Sequence, residues 1–144
     1  MDPALFKLIY TDDDAEDREF FAEGVRNINV PVELSVFESG MALLSHLADA
    51  GHEERLPYSI VCDMKMHMLD GLDVLKLIKA NPKWEKIPFF ILSTSSSNHD
   101  RERVIQSGAM AFYTKPSSLN ELQFIIGEII QLTSSFRKDS GTTN

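Results

Sequence analysis

Five residues in this chain carry the groups that phosphate and divalent-cation chemistry uses, and all five follow apolar, strand-like runs. Asp12 and Asp13 come after Leu5-Phe-Lys-Leu-Ile-Tyr10, and Asp63 comes after Ile60-Val-Cys62. Ser93 ends Pro88-Phe-Phe-Ile-Leu92, and Lys115 follows Met110 to Tyr113. Carboxylates brought together repel, and they are tolerable only with protons or a cation among them. An all-oxygen set suits Mg²⁺, which takes few protein ligands and keeps several waters. A lysine and a hydroxyl alongside suit a phosphoryl group, as point charge and hydrogen-bond donor. A carboxylate nucleophile beside a cation and a lysine can form an acyl phosphate.

Singly, each residue has an ordinary alternative. An aspartate at a strand end usually caps a turn or helix, and Asp14 reads that way. A serine in the string Ser93-Thr-Ser-Ser-Ser97 is commonplace, and most lysines are solvated. Phe112 alone reads as core, Cys62 as a small buried filler and Trp84 as a residue covering the loop before the fourth strand. His46, His52 and His99 read as surface residues without metal-ligand spacing. The weight lies in convergence.

The elements that produce convergence are legible from periodicity. Val32–Phe37 alternates as a second strand. Asp14 is placed to cap the first helix, with Asp17 as the second half of a capping box and Phe21, Val25 and Ile28 at helical spacing. Ser39 caps a second helix carrying Met41, Leu43, Leu44 and Leu47, ending near Gly51. After Asp63 a short loop closes at Gly71, and a third helix runs through Val74, Leu75 and Ile78 to Asn81-Pro82. A fourth helix spans about Asp100 to Gln106 and stops at Gly108. The last opens on Ser118-x-x-Glu121 and presents Leu119, Leu122, Ile126, Ile129 and Ile130 on one face. Strands alternating with helices predict a parallel sheet covered on both faces, and right-handed crossovers point every strand the same way. Asp12, Asp13, Asp63, Ser93 and Lys115 then share the carboxyl edge, where open α/β sheets bind ligands.

Composition bounds the alternatives. At 144 residues the chain makes one domain, expected over residues 1–137 with a polar tail over 138–144. A net charge of -8 without a basic stripe argues against a DNA surface. The lone cysteine, Cys62, fits a reducing compartment. No apolar run reaches membrane-spanning length, and the charged start at Asp2 does not read as a secretory leader. The expected location is cytoplasmic.

With these residues placed, the chain resembles the receiver domains of two-component response regulators over about residues 5 to 135. The pieces that carry the resemblance are Asp12-Asp13, Asp63 with Met66 and Gly71 behind it, Ser93-Thr94, and Lys115-Pro116. The resemblance implies a flavodoxin-like, doubly wound (βα)5 fold with a five-stranded parallel sheet in the order 2-1-3-4-5. It implies Asp63 as phosphoacceptor, with Asp13 and Asp63 on Mg²⁺ directly, Asp12 through water and the Lys65 backbone carbonyl as a further ligand. Ser93 would bond the phosphoryl oxygen and Lys115 pair with it. Phe112 matches a switch aromatic that turns inward on phosphorylation, and Lys65 and Ser95 match positions that tune acyl-phosphate lifetime. The run Phe112-Tyr-Thr-Lys-Pro-Ser resembles stand-alone regulators that partner phytochrome-type kinases. Two departures stand out: His67 replaces a usual proline, and Lys65 sets a cation beside a metal site.

The implied partners are a sensor histidine kinase or phosphotransfer protein and an unidentified downstream protein, with neither DNA nor membrane. A dimer through the fourth helix, fifth strand and fifth helix is a further expectation. The implied chemistry is self-phosphorylation and slow autodephosphorylation only. The enzyme alternative is a haloacid-dehalogenase-type phosphatase, for which Asp12-x-Asp14, Ser93 and Lys115 mimic part of the order. Against it, Ala15-Glu16 does not continue the pattern, no acidic pair follows Lys115 and there is no room for a cap. A pseudo-receiver that binds partners without phosphorylation is the third reading.

Overall fold

A computed structural model describes residues 5–51, 55–95 and 97–139. Its elements run β1 (Phe6–Thr11), α1 (Ala15–Arg26), β2 (Val32–Phe37), α2 (Gly40–Ala50), β3 (Ser59–Asp63), α3 (Gly71–Lys79), β4 (Phe89–Ser93), α4 (Asn98–Gln106), β5 (Ala111–Thr114) and α5 (Leu119–Asp139). The five strands pair in parallel in the order β2-β1-β3-β4-β5. The expected flavodoxin-like topology is what the chain adopts.

Alternation along the strands sorts the core into two layers. Ile9, Ile60, Cys62 and Ile91 pack with Leu43 and Leu47 of α2, Val74, Leu75 and Ile78 of α3, and Val104 of α4. Leu8, Tyr10, Val61, Phe90 and Leu92 pack on the other face with Phe21 and Val25 of α1 and Leu122, Ile126 and Ile129 of α5. The inner strands β3 and β4 are buried at every position, whereas the edge strand β2 is buried at none. That is why the former read as unbroken apolar runs and the latter as an alternating one. Burying each large aliphatic side chain contributes roughly 1.5–3 kcal/mol, so the inner strands hold the sheet's carboxyl edge firmly in place.

The helix starts follow local chemistry. Asp14, Ser39 and Ser97 each accept a backbone amide from their first turn, and Asp70 forms a full capping box with Asp73. Ser118 Oγ accepts from the Glu121 amide at 3.2 Å. The box expected between Asp14 and Asp17 is different: Asp14 caps through the Glu16 amide, and the Asp17 side chain turns to Lys115. A nearby buried ammonium outbids the cap's amide for that carboxylate. At the other end, α5 continues through Lys138 and Asp139. The polar composition predicts a boundary before those two residues; 140–144, like His52 and its neighbours 53–54, lie outside the described residues.

Candidate functional site

The register brings the acidic residues level. Thr11 pairs with Cys62, so Asp12 continues beside Asp63, and Asp63 in turn pairs with Leu92, just before Ser93. Ser93 pairs with Thr114, and the Lys115 amide donates to the Ser93 carbonyl at 2.6 Å, carrying the ladder one step further. Tyr10 and Val61 point toward α1 and α5, and by alternation Asp12 and Asp63 turn to the same side.

Gly71 closes the loop that follows Asp63. Its amide donates to the Met64 carbonyl at 2.8 Å, and a Cβ there would stand 2.5 Å from the Asp63 carbonyl oxygen. Backbone cannot yield to that, so only glycine lets α3 start so close to the end of β3. Where the usual proline is missing, the loop makes a tight turn in which the Leu69 amide donates to the His67 carbonyl at 2.9 Å. Met68 at its centre has φ 71° and is 93% exposed.

Oxygens of Asp12, Asp13 and Asp63 lie within 4.8 Å of one another. An all-carboxylate set at that spacing fits a hard divalent cation, and no nitrogen or sulfur ligand joins it among the described residues. Asp12 is fully buried. Its Oδ2 accepts from the Tyr10 hydroxyl at 2.5 Å and from Lys115 Nζ at 2.8 Å, and its Oδ1 accepts from the Asp14 amide at 3.0 Å. Asp13 is more open; its Oδ2 accepts from the His67 amide at 3.2 Å and meets His67 Nδ1 at 3.1 Å. Lys115 Nζ also reaches Asp17 Oδ2 at 2.7 Å and Asp63 Oδ1 at 3.2 Å.

The electrostatics follow from this crowding. Burial, then the charge of Asp12, pushes the Asp63 carboxyl up from 3.8 to about 6, against the pull of Lys115. Burial alone would lower the Lys115 ammonium, but hydrogen bonds to Asp12 and Asp17 outweigh it and hold the group well above its ordinary range. Burial, with Asp12 next, keeps the Tyr10 phenol protonated, so it serves Asp12 as a donor. Burial likewise pushes the Cys62 thiol up, in keeping with a filler and not a nucleophile.

Ser93 is buried at the end of β4, its Oγ accepting from the Ser95 amide at 3.1 Å, while Ser95 Oγ accepts from the Ser97 amide at 3.2 Å. Lys65, two residues after Asp63, is exposed. Phe112 is turned inward and buried, with the Arg101 guanidinium 4.9 Å over its ring and donating to the Phe112 carbonyl at 3.0 Å. Trp84 packs partly buried against the core, and His46 lies against Phe37 at 4.9 Å between ring centres.

Two contributors escaped the sequence reading. Tyr10 looked like one more core residue of a strand, and Asp17 looked like half of a helix cap. Neither residue's type nor its local spacing signals the partner that the fold brings to it. The arrangement disfavours the phosphatase reading, because Asp14 caps α1 at the surface and Asp12 is enclosed by Tyr10 and Lys115.

Residues 8–126 match the family model described as response regulator receiver domain. Among curated proteins, the response regulator Rcp1 of Synechocystis sp. is 26% identical over 117 residues, covering 80% of each chain. The transcriptional regulatory protein PrrA of Mycobacterium tuberculosis is 27% identical over 95% of this chain, which spans only 52% of that relative's length. Among solved structures, the Mn(2+)-bound form of Rcp1 superposes with a TM-score of 0.73 at 26% identity, covering 85% of this chain and 90% of that one. The phosphorylated cyanobacterial phytochrome response regulator RcpA superposes with a TM-score of 0.78 at 28% identity, covering 92% and 96%.

Proposed function

The chain belongs to the response regulator receiver domain family, and from that premise we propose that it takes a phosphoryl group onto Asp63 from a histidine kinase or phosphotransfer protein. The observation that carries the assignment is a carboxylate at the sheet's carboxyl edge, buried to 5% exposure, with Lys115 Nζ at 3.2 Å and two further carboxylates beside it. An Asp63 oxygen attacks the donor phosphorus. The P–N bond of a phosphohistidine, or the P–O bond of acetyl phosphate, breaks with its electron pair left on the imidazole or acetate.

Asp13, Asp63 and the Lys65 backbone carbonyl would hold Mg²⁺, with Asp12 acting through water. The cation supplies charge neutralisation at the transferring phosphoryl group. Lys115 offers an N–H to a phosphoryl oxygen, and Ser93 Oγ, its proton free to rotate, offers a second donor from β4. Exchange of the Ser93 hydroxyl toward the phosphoryl group would draw in the end of β4 and favour the inward position that Phe112 already holds beside Arg101, biasing the face formed by α4, β5 and α5 instead of turning Phe112 in anew. The signal then passes through protein contacts, and the face is where a second copy would pair. Self-phosphorylation and slow autodephosphorylation are the only chemistry proposed. Among the described residues no helix is long and apolar enough to cross a membrane; a buried free thiol and the family's kinase chemistry favour the cytoplasm.

Intact mass after incubation with acetyl phosphate, with Mg²⁺ or with chelator, tests the reading. One added phosphoryl mass, dependent on the cation and absent from Asp63→Asn, is the expected result. No addition under any condition would point to the pseudo-receiver, and addition that persists in Asp63→Asn would reject the acceptor.

A further inference from the structure

An ammonium has three N–H protons, and Lys115 meets three carboxylates: Asp17 at 2.7 Å, Asp12 at 2.8 Å and Asp63 at 3.2 Å. Two of these, Asp12 and Asp63, belong to the cluster suited to a cation. Asp17 does not; it sits in the first turn of α1. Its contact is the shortest of the three. It forms although Asp17 was placed, three residues after Asp14, to complete a helix cap instead.

The distinction matters because the chemistry proposed above reassigns the other two partners. A cation draws on the charge of Asp12, and phosphoryl transfer turns an Asp63 oxygen into the bridging oxygen of an acyl phosphate. Asp17 alone stands outside both changes. Lys115 lines a narrow gap together with Asp17, Phe20, Phe21, Leu92 and Pro116, and its side chain is only 11% exposed. Its stem has little freedom, so the direction of its charged end is set by whichever acceptor stays put.

We propose that Asp17 is a positioning residue for the phosphoryl group: it anchors Lys115 from α1 while Asp12 and Asp63 change partners, leaving one N–H aimed at a phosphoryl oxygen. This rests on the acceptor role of Asp63. The competing interpretation is that the pair only ties α1 to the end of β5.

The test is beryllofluoride affinity at saturating Mg²⁺, measured by titration for the parent, Asp17→Asn, Asp17→Ala, Lys115→Ala and the double variant Asp17→Ala/Lys115→Ala. A charge-assisted hydrogen bond at a partly exposed site is worth about a factor of ten. Asp17→Ala should bind about tenfold more weakly than the parent, and Asp17→Asn, which keeps shape and loses charge, should fall between them. In the Lys115→Ala background the Asp17 change should cost nothing further, because the group it positions is gone. Beryllofluoride affinity unchanged in Asp17→Ala, with only the melting temperature lowered, would overturn the proposal in favour of a structural tie. So would an equal loss in both backgrounds. A parent chain that binds no beryllofluoride at all would instead reject the acceptor role itself, and the proposal with it.

Discussion

Asp63 owes its chemistry to what surrounds it. Its pKa, raised from 3.8 to about 6 chiefly by burial and then by Asp12, means the folded chain binds this proton more tightly than the unfolded chain. A carboxyl raised on folding favours the folded state below its folded pKa and loses that advantage as pH rises through the window from about 4 to 6. In chelator, the parent should therefore gain stability relative to Asp63→Asn as pH falls from 7 toward 4, by at most about 1.4 kcal/mol per pH unit. Millimolar Mg²⁺, which competes with the proton, should flatten the difference. Denaturant melts of both chains across that range check it; a parent that loses stability relative to Asp63→Asn as pH falls would contradict it. Residues placed by the end of a strand, such as Asp12, Asp63, Ser93 and Lys115, were legible from sequence as neighbours because register alone brings them together. Tyr10 and Asp17 were not. A phenol in an apolar strand and an acid in a helix's first turn carry no mark of the partner that tertiary structure brings to them.

At the scale of elements, the loops at the carboxyl edge set what the site can do. Gly71 lets α3 begin against the Asp63 carbonyl, and Gly71→Ala should displace the end of β3 or the start of α3 at a cost of about 1–3 kcal/mol. Urea unfolding would show it, and a variant as stable as the parent would mean the close approach is not needed. The proposed control of acyl-phosphate lifetime also falls to these loops. Lys65 is an exposed cation two residues after Asp63, and Ser95 holds the turn that presents Ser93. Lys65→Ala and Ser95→Ala should each change the rate at which the acyl phosphate decays while leaving its stoichiometry intact, as followed by intact mass over time. Decay unchanged from the parent in both variants would remove these positions from lifetime control. Strand and helix identities followed from periodicity, with most ends displaced by a residue or two. The β3–α3 loop did not, because the missing proline at His67 said only that the usual turn was absent. The turn that replaces it depends on a left-handed Met68 that no local pattern announces.

For the whole molecule, folding gathers charges that unfolding separates. Asp12, Asp13 and Asp63 stand together with Lys115 as their nearest ammonium, and Lys115 is shared with Asp17. Cation binding to the folded chain should add about 1.4 kcal/mol at tenfold excess over the dissociation constant, raising the melting temperature by roughly 3 to 6 °C. Asp13→Asn should lose much of that gain and be no less stable than the parent in chelator, since it removes a repelling charge at a more open position. A melting curve indifferent to Mg²⁺ would contradict the cluster's role. The topology was fully readable in outline because alternating strands and helices leave few parallel arrangements, although the strand order itself came from the family likeness. The most direct measurement of the central claim is to locate the phosphoryl group. After acetyl phosphate and Mg²⁺, borohydride reduction converts an aspartyl acyl phosphate to homoserine, and peptide mapping reads its position. Homoserine at residue 63 and at no other aspartate is the predicted result; homoserine at Asp12, Asp13 or Asp17, or at none, would contradict it.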